Sequence, residues 1–138
     1  HEQAGSEHVI HIHGSIWQVR CTRDADVTVN RQAPLPEIPP HCECGALLRP
    51  NVVWFGETIS PIQSALVDRF LDQTPPDVTL VIGTEAAFAY IISWALEAQQ
   101  LGGILVEINP GATELSRAVD VRLQGPSGEI LPQLTNWE

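Results

Sequence analysis

The 138-residue sequence contains no lysine and no methionine. Its seven basic side chains are all arginines, against 17 aspartates and glutamates, so the net charge is 7 − 17 = −10. This shortage of positive charge argues against nucleic acid as a partner, because proteins that bind it present basic surfaces to the phosphates. A negative chain would suit a basic partner, for example a protein that presents lysines.

Long apolar runs and a signal peptide are also missing from the sequence. No apolar stretch approaches the ~18–20 residues of a membrane span, and no basic start followed by an apolar segment is visible. We therefore expect no membrane partner and a cytoplasmic location, while the oligomeric state is not indicated. Because a complete reading frame begins with methionine, we expect a trimmed chain or a piece of a longer protein.

The chain has only three cysteines, Cys21, Cys42 and Cys44. An odd number without a secretory signal does not favour a disulfide framework. All three lie within residues 20–50, where five prolines interrupt any regular element. This composition predicts a small loop-rich insert that carries the cysteines.

The rest of the sequence alternates apolar runs with helical patterns, which is typical of an α/β fold. The near-continuous apolar run at residues 78–82 predicts a strand in a sheet covered on both faces. A helix at 89–101 and a strand at 104–108 follow, so these strands should be parallel. The complete prediction has strands over residues 9–13, 52–55, 78–82, 104–108 and 119–123, and helices beginning at Pro61, over 89–101 and over 127–134.

Ligands of open α/β sheets bind beyond the carboxyl ends of the strands. In the predicted fold these positions are residues 13–15, 83–85 and 109–111, which are mostly small or polar. They could approach a nucleotide, although ordinary turns at strand ends have the same composition.

Six short motifs follow one another along the sequence. The most specific is residues 48–57 (LRPNVVWFGE), and the others are residues 4–6 (AGS), 12–15 (IHGS), 20–21 (RC), 82–84 (IGT) and 106–110 (VEINP). In this order they resemble the sirtuin family, in the style of its bacterial members.

The resemblance implies a sirtuin-type catalytic domain over residues 1–138 whose N-terminal part is missing. In this picture residues 20–50 are a small zinc-type module inserted into a Rossmann-like parallel sheet, and residues 51–138 are the Rossmann-like half. The glycine-rich loop with which the family cradles the NAD phosphates does not occur in the sequence. We therefore expect these 138 residues alone to bind NAD poorly and to be inactive.

The implied activity is NAD-dependent protein-lysine deacylation, either deacetylation or desuccinylation, with release of nicotinamide and O-acyl-ADP-ribose. The substrates would be acylated protein lysines. His13 matches the base of the family, although a histidine at a strand end is by itself more often structural. Val53, Phe55 and Gly56 match the strand that pairs with the substrate peptide. Protein ADP-ribosylation and a non-catalytic remnant remain alternatives.

The resemblance also implies which residues contact NAD. Glu85 replaces the serine of the usual Gly-Thr-Ser segment, and a carboxylate beside a pyrophosphate is unfavourable unless it turns away. The implied contact residues are Gly83, Thr84, Glu85, Asn109, Pro110, Gly111 and Ser127.

The cysteines match the zinc site of the family incompletely. The usual pattern is two Cys-x-x-Cys pairs, but here Asp24 stands at the second position of the first pair and His41 at the first position of the second. Zinc would then be held by Cys21 and Cys44 with one or both of Cys42 and His41, and with Asp24 or water completing the site. The alternative is a degenerate module with free thiols and no metal.

Overall fold

The computed structural model describes residues 1–135 and has two units, His1–Leu66 and Val67–Glu138. The first contains an antiparallel sheet and the cysteines, and the second is built on a parallel sheet. The predicted α/β class with a cysteine-bearing segment is therefore confirmed. Among the described residues, no helix is long and apolar enough to cross a membrane.

The first unit opens with a short 3-10 helix (Glu2–Ala4) and then forms strands β1 (Gly14–Cys21), β2 (Val27–Val29) and β3 (Leu48–Val52). Their order in the sheet is β2-β1-β3, with both pairings antiparallel. Pro50 lies beside an irregularity in the β1–β3 ladder. A proline is tolerated there because the regular ladder bonds are already interrupted.

The predicted strand over residues 9–13 is wrong, because β1 begins where that strand was expected to end. The N–H of Gly14 donates to the carbonyl of His11 (2.9 Å), which closes a turn immediately before β1. Gly14 has a φ of 80°, and a Cβ at this position would lie 1.9 Å from the carbonyl oxygen of Asn51. Only glycine permits this close approach of β1 and β3.

The predicted strand over residues 52–55 is also displaced, since β3 ends at Val52. A turn follows, closed by a hydrogen bond from the N–H of Glu57 to the carbonyl of Trp54 (2.9 Å). Gly56 adopts a φ of 86° in this turn. The apolar composition of the run suited a strand, but the chain leaves the sheet after Val52 and enters a turn in which Gly56 takes a left-handed conformation.

Most predictions for the second unit are confirmed, including the parallel pairing across the β-α-β connection. The sheet order is β4-β5-β6, with β5 in the centre and both pairings parallel. The elements from residue 61 onward are α1 (Pro61–Gln73), β4 (Val78–Ile82), α2 (Ala89–Gln100), β5 (Ile104–Asn109), a second 3-10 helix (Glu114–Arg117), β6 (Val121–Gln124) and α3 (Ser127–Thr135).

An apolar cluster between α2 and one side of this sheet forms the core of the second unit. Its members are Val81, Ala86, Ala95, Leu105 and Leu115. Leu105 has no exposed surface, which is typical of a central parallel strand.

The opposite side of β4 differs from the prediction of a sheet covered on both faces. Val78, Leu80 and Ile82 are 51%, 44% and 38% exposed, whereas Val81 between them is buried. Alternate residues of a strand point to opposite faces. One face of β4 is therefore open within the part of the chain that the structure describes.

Candidate functional site

His13 lies in the turn before β1, with an exposed side chain. Its carbonyl accepts a hydrogen bond from the N–H of Val53 (2.9 Å), just after β3. Both residues line a cavity of about 450 Å³, together with Trp17 and Val52. A backbone hydrogen bond therefore joins the predicted base to the first residue of the predicted substrate segment.

His11, two residues earlier, has a different environment. Its Nε2 lies 3.0 Å from Oε1 of Glu2, and this contact holds the pKa of Glu2 below its usual value. Because residues 12–13 form a turn, the alternation of a strand does not separate His11 from His13. The two imidazoles differ in exposure, since His11 is partly buried and His13 is exposed.

An arginine–glutamate pair holds the turn that follows β3. The guanidinium of Arg49 donates to both carboxylate oxygens of Glu57 (2.6 and 2.9 Å) and to the carbonyl of Val52 (2.7 Å). It also lies 3.8 Å from the centre of the Trp54 ring. The Arg49 hydrogen bonds, followed by the N–H of Trp54, lower the pKa of Glu57 to about 2.

This clamp fixes the turn that carries the predicted substrate residues. Phe55 at its tip is 98% exposed, and Gly56 follows it. Sequence reasoning missed the roles of Arg49 and Glu57, although both belong to the decapeptide that it singled out. The signal was an arginine and a glutamate eight residues apart, flanking an apolar run that ends in glycine.

The three cysteines come together with Asp24. Their Sγ atoms and a carboxylate oxygen of Asp24 all lie within 4.8 Å of one another. The Sγ atoms of Cys21 and Cys44 are 3.5 Å apart, and Cys21 Sγ lies 3.9 Å from Oδ2 of Asp24. Ligands of a tetrahedral zinc at ~2.3 Å would be separated by about 3.8 Å, so this donor set fits the ion.

The electrostatic environment of the thiols is uneven. Backbone N–H groups of Asp24 and Arg23 lower the pKa of Cys21. The N–H of Ala46 acts in the same direction on Cys44, but burial and the neighbouring thiols outweigh it and raise the pKa of Cys44 to about 11. A zinc ion within the cluster would favour deprotonation of the thiols, because zinc binds the thiolate form.

His41, predicted as a possible zinc ligand, lies outside this group of four. Its Nδ1 is 3.0 Å from Oε1 of Glu37, four residues earlier in the chain. The geometry thus joins Cys42 rather than His41 to Cys21 and Cys44.

Six of the seven predicted nucleotide residues lie in the second unit at the carboxyl ends of β4 and β5. Asn109 joins the two ends, because its Nδ2 donates to the carbonyl of Thr84 (2.8 Å). Its Oδ1 accepts from the N–H of Gly111 (3.1 Å). Asn109, Gly111 and Glu85 line one cavity of about 810 Å³.

The remaining predicted nucleotide residues surround or lie beyond this cavity. Gly83, with a φ of 60°, ends β4, and its N–H donates to the carbonyl of Ile108 (3.0 Å). Pro110 lies in the turn after β5, and Ser127 begins α3. These three residues and Thr84 are not among those that line the cavity, whose wall instead includes Glu114 and Arg117.

Sequence reasoning also missed Glu107, a buried carboxylate in β5. It accepts hydrogen bonds from the hydroxyls of Thr113 and Ser116, and both of those residues line the same cavity. The only hint in the sequence was a charged residue within an apolar strand.

The chain is similar to proteins of one family over nearly its whole length. The profile of the Sir2 family matches residues 1–89. An Archaeoglobus fulgidus protein named NAD-dependent protein deacylase 1 is 42% identical over 136 residues, which are 97% of this chain and 54% of that protein. The NAD-dependent protein deacylase of Aquifex aeolicus is 38% identical over 138 residues, covering 99% of this chain and 57% of that protein.

A solved structure described as a Sir2 homologue–NAD complex has the same fold. Its TM-score is 0.87 at 41% identity, and the match covers 97% of this chain and 52% of that one. The chain spans about half the length of the curated relatives it matches.

Proposed function

Since the chain belongs to the Sir2 (sirtuin) family, we propose that it serves NAD-dependent removal of acyl groups from protein lysines, with His13 as the base. One observation carries the proposal: the Val53 N–H bonds to the His13 carbonyl (2.9 Å). This contact keeps the main chain of His13, whose side chain is exposed, beside the segment proposed to bind the substrate peptide. The names of the relatives support the same reaction.

In the proposed reaction, the acyl-lysine amide oxygen attacks the ribose C1′ of the co-substrate NAD, and nicotinamide leaves. His13 then accepts a proton from a ribose hydroxyl, which attacks the former amide carbon. The adduct then expels the lysine amine, and one water molecule adds to the acyl carbon left bridging the ribose oxygens, so that the products are the free lysine and O-acyl-ADP-ribose. Imidazole suits this step because its ordinary pKa lies near neutral pH.

The peptide would lie extended along Val53, Phe55 and Gly56, held by main-chain hydrogen bonds. The N–H groups of Val53 and Trp54 are already bonded within the unit. A peptide would therefore use other main-chain groups of the segment, beside the exposed Phe55 ring. The net charge of −10 favours lysine-rich partners.

NAD would place its adenosine end in the cavity of Asn109 and Gly111, with Gly83 and Thr84 nearby and Ser127 toward the adenine. Glu85 and Glu114 also line this cavity, and their two carboxylates, against the single guanidinium of Arg117, would disfavour a pyrophosphate. We therefore expect these 138 residues alone to bind NAD more weakly than micromolar and to show no turnover.

A structural zinc would be held by Cys21, Cys42 and Cys44, with Asp24 as the fourth ligand. Its role would be to tie the loop-rich residues 20–50 together, so that this segment acts as a zinc-type module beside a Rossmann-like half at 51–138. Three closely spaced cysteines without a disulfide fit a reducing compartment, and we place the protein in the cytoplasm.

The test is a fusion of this chain to the part of the Archaeoglobus relative that lies outside the match. We expect the fusion to deacylate acetyl-lysine or succinyl-lysine peptides, with O-acyl-ADP-ribose detected by mass spectrometry. His13→Ala or His13→Tyr should lower the rate by roughly 10²–10⁴-fold at unchanged thermal unfolding, as expected for a general base. His11→Ala is the matched control and should retain most activity.

Each other outcome identifies a different function. A His13 variant that keeps most of its activity would remove the base assignment. ADP-ribose attached to protein, without released O-acyl-ADP-ribose, would support the transferase alternative. A folded fusion without either product would support a non-catalytic chain, and micromolar NAD binding by the 138 residues alone would contradict the expected weakness.

A further inference from the structure

We propose that Glu107, in the central strand β5, is a positioning residue that fixes the wall of the nucleotide cavity. The inference rests on the proposed function, which assigns that cavity to the adenosine end of NAD. Glu107 is not itself among the lining residues. It acts through Thr113 and Ser116, which are.

The burial of Glu107 is the first observation. The residue is 1% exposed, and within residues 1–135 it is the only charged residue that is buried. Removing a carboxylate from water is costly unless hydrogen bonds and an opposite charge compensate for the lost hydration. The surroundings of Glu107 must therefore supply those partners.

Three groups supply these contacts: two hydroxyls and one guanidinium. The Thr113 hydroxyl donates to Oε1, and the Ser116 hydroxyl donates to Oε2 at 2.5 Å. Nε of Arg122, the neighbour of Glu107 on β6, lies 3.4 Å from Oε2. Short hydroxyl–carboxylate bonds are charge-assisted and stronger than neutral ones.

The oxygens of the same two hydroxyls also accept hydrogen bonds from backbone N–H groups. The N–H of Thr113 donates to Oγ of Ser116 (2.8 Å), and the N–H of Leu115 donates to Oγ1 of Thr113 (3.1 Å). Together they cap the 3-10 helix Glu114–Arg117. One carboxylate in the sheet thus sets where this short helix begins.

The preceding turn is held at both ends. Asn109 anchors its start through Thr84 and Gly111, as described above, and Glu107 anchors its end. Residues 110–112 between these anchors include Gly111 and Ala112 of the cavity wall. Glu107 therefore fixes one end of the backbone at residues 110–112, which would face a nucleotide.

A purely structural role explains these contacts less well. An apolar side chain in a central strand stabilises a core at least as well as a buried ion pair of similar volume. A leucine at position 107 would fill the strand but leave both hydroxyls without their shared acceptor. The carboxylate contributes the geometry of the turn, and this is what substitution should change.

The test uses the 138-residue chain and backbone amide NMR. We expect Glu107→Leu to raise the hydrogen-exchange rates of residues 111–116 at least about tenfold, which corresponds to about 1.4 kcal/mol of local opening. In titrations with millimolar ADP-ribose, the initial slope of the Gly111 amide shift should fall by a similar factor. Glu107→Gln, which keeps one acceptor and the shape, should fall between the wild type and Glu107→Leu.

Asp120→Asn is the matched control. Asp120 also accepts a backbone hydrogen bond, from Leu105 (2.8 Å), but at the other end of β5 and outside the cavity lining. It should lower stability without changing exchange in residues 111–116 or the ADP-ribose response. Equal effects of Glu107→Leu and Asp120→Asn on both readouts would overturn the proposal.

Should Glu107→Leu fail to fold, Glu107→Gln and Ser116→Ala decide. Unchanged exchange and an unchanged ADP-ribose response in both would overturn the positioning role. A wild-type chain that shows no ADP-ribose response at all would count against the proposed function. In that case the exchange rates of residues 111–116 still decide whether Glu107 fixes the turn.

Discussion

The two units of the chain differ in what occupies their interiors. Among the described residues, the first unit buries only Val19 and Cys21 as apolar side chains, whereas the second buries nine, from Leu71 to Leu115. The first unit instead concentrates a cluster of three thiols and a carboxylate, and an arginine–glutamate clamp. Small segments with few buried apolar groups commonly depend on metals or other cross-links.

This difference also separates the two proposed binding regions. The predicted base and substrate segment lie in the unit held mainly by polar contacts. The predicted nucleotide residues follow strands of the unit held by an apolar core. Loss of the metal or a change of pH should therefore affect the base and substrate segment more. Substitutions that create a cavity in the core should affect the nucleotide residues more.

The largest expected effect is loss of the metal. We expect one zinc per chain by elemental analysis of protein purified without chelator, and none in the Cys21→Ser, Cys44→Ser double variant. Structural zinc supplies apparent binding energies of about 10–16 kcal/mol in small zinc peptides. Amide protection in β1 and β3 should disappear with the metal, while β4 and β5 remain protected.

Two single variants refine the ligand set. Asp24→Ala should weaken zinc binding, and His41→Ala should leave it unchanged, since only Asp24 lies with the thiols. Undiminished zinc in the double cysteine variant, or two metals per chain, would contradict the site. Protein that holds no zinc would support the free-thiol alternative.

The next effect concerns the core of the second unit. Leu105→Ala removes a side chain with no exposed surface and should cost about 2–5 kcal/mol of unfolding free energy. Urea denaturation followed by the amides of β5 measures this loss. Leu101→Ala, 48% exposed in wild type, is the control and should change little. An equal loss of protection in β1 would show that the units do not differ in the way described.

A smaller effect should appear at acidic pH in the first unit. Arg49 lowers the pKa of Glu57 from its usual 4.5 to about 2 in the folded chain. A carboxyl group with a depressed folded-state pKa stabilises the fold fully above its unfolded value and loses this contribution as pH falls toward the folded one. The thermal unfolding temperature of the wild type should therefore fall as the pH is lowered from about 4.5 to 2.

The control for this pH dependence is Glu57→Gln, which cannot ionise. Its unfolding temperature should be lower than that of the wild type at neutral pH and should change less across the acidic range. Parallel curves for the two proteins would show that other carboxyl groups set the acid response.

The sequence predicted the second unit better than the first, for physical reasons. The run at Val78–Ile82 and the glycines after α2 are local signals, and the parallel sheet follows from them. The start of β1 depends on the close contact between Gly14 and Asn51, 37 residues away in the chain. Local composition carries no information about such a contact.

The candidate site shows the same limit. Asn109 and Gly111 could be placed because strand ends are predictable. The bonds of Glu107 to Thr113 and Ser116 depend on the path of a turn, and the nearness of Asp24 to Cys44 depends on how a proline-rich loop folds back. Neither path follows from the spacing of residues alone.

The smallest expected effect on stability concerns the open face of β4. This strand is at the end of the sheet, and Val78, Leu80 and Ile82 are exposed along it. An exposed apolar edge strand invites pairing with another chain, and a charged side chain discourages it. Leu80→Lys should therefore reduce concentration-dependent self-association in sedimentation velocity, while its unfolding free energy stays within about 0.5 kcal/mol of wild type. Leu101→Lys changes a residue of similar exposure outside the strand and should leave association unchanged. If both variants reduce association equally, general surface apolarity rather than the β4 edge is responsible.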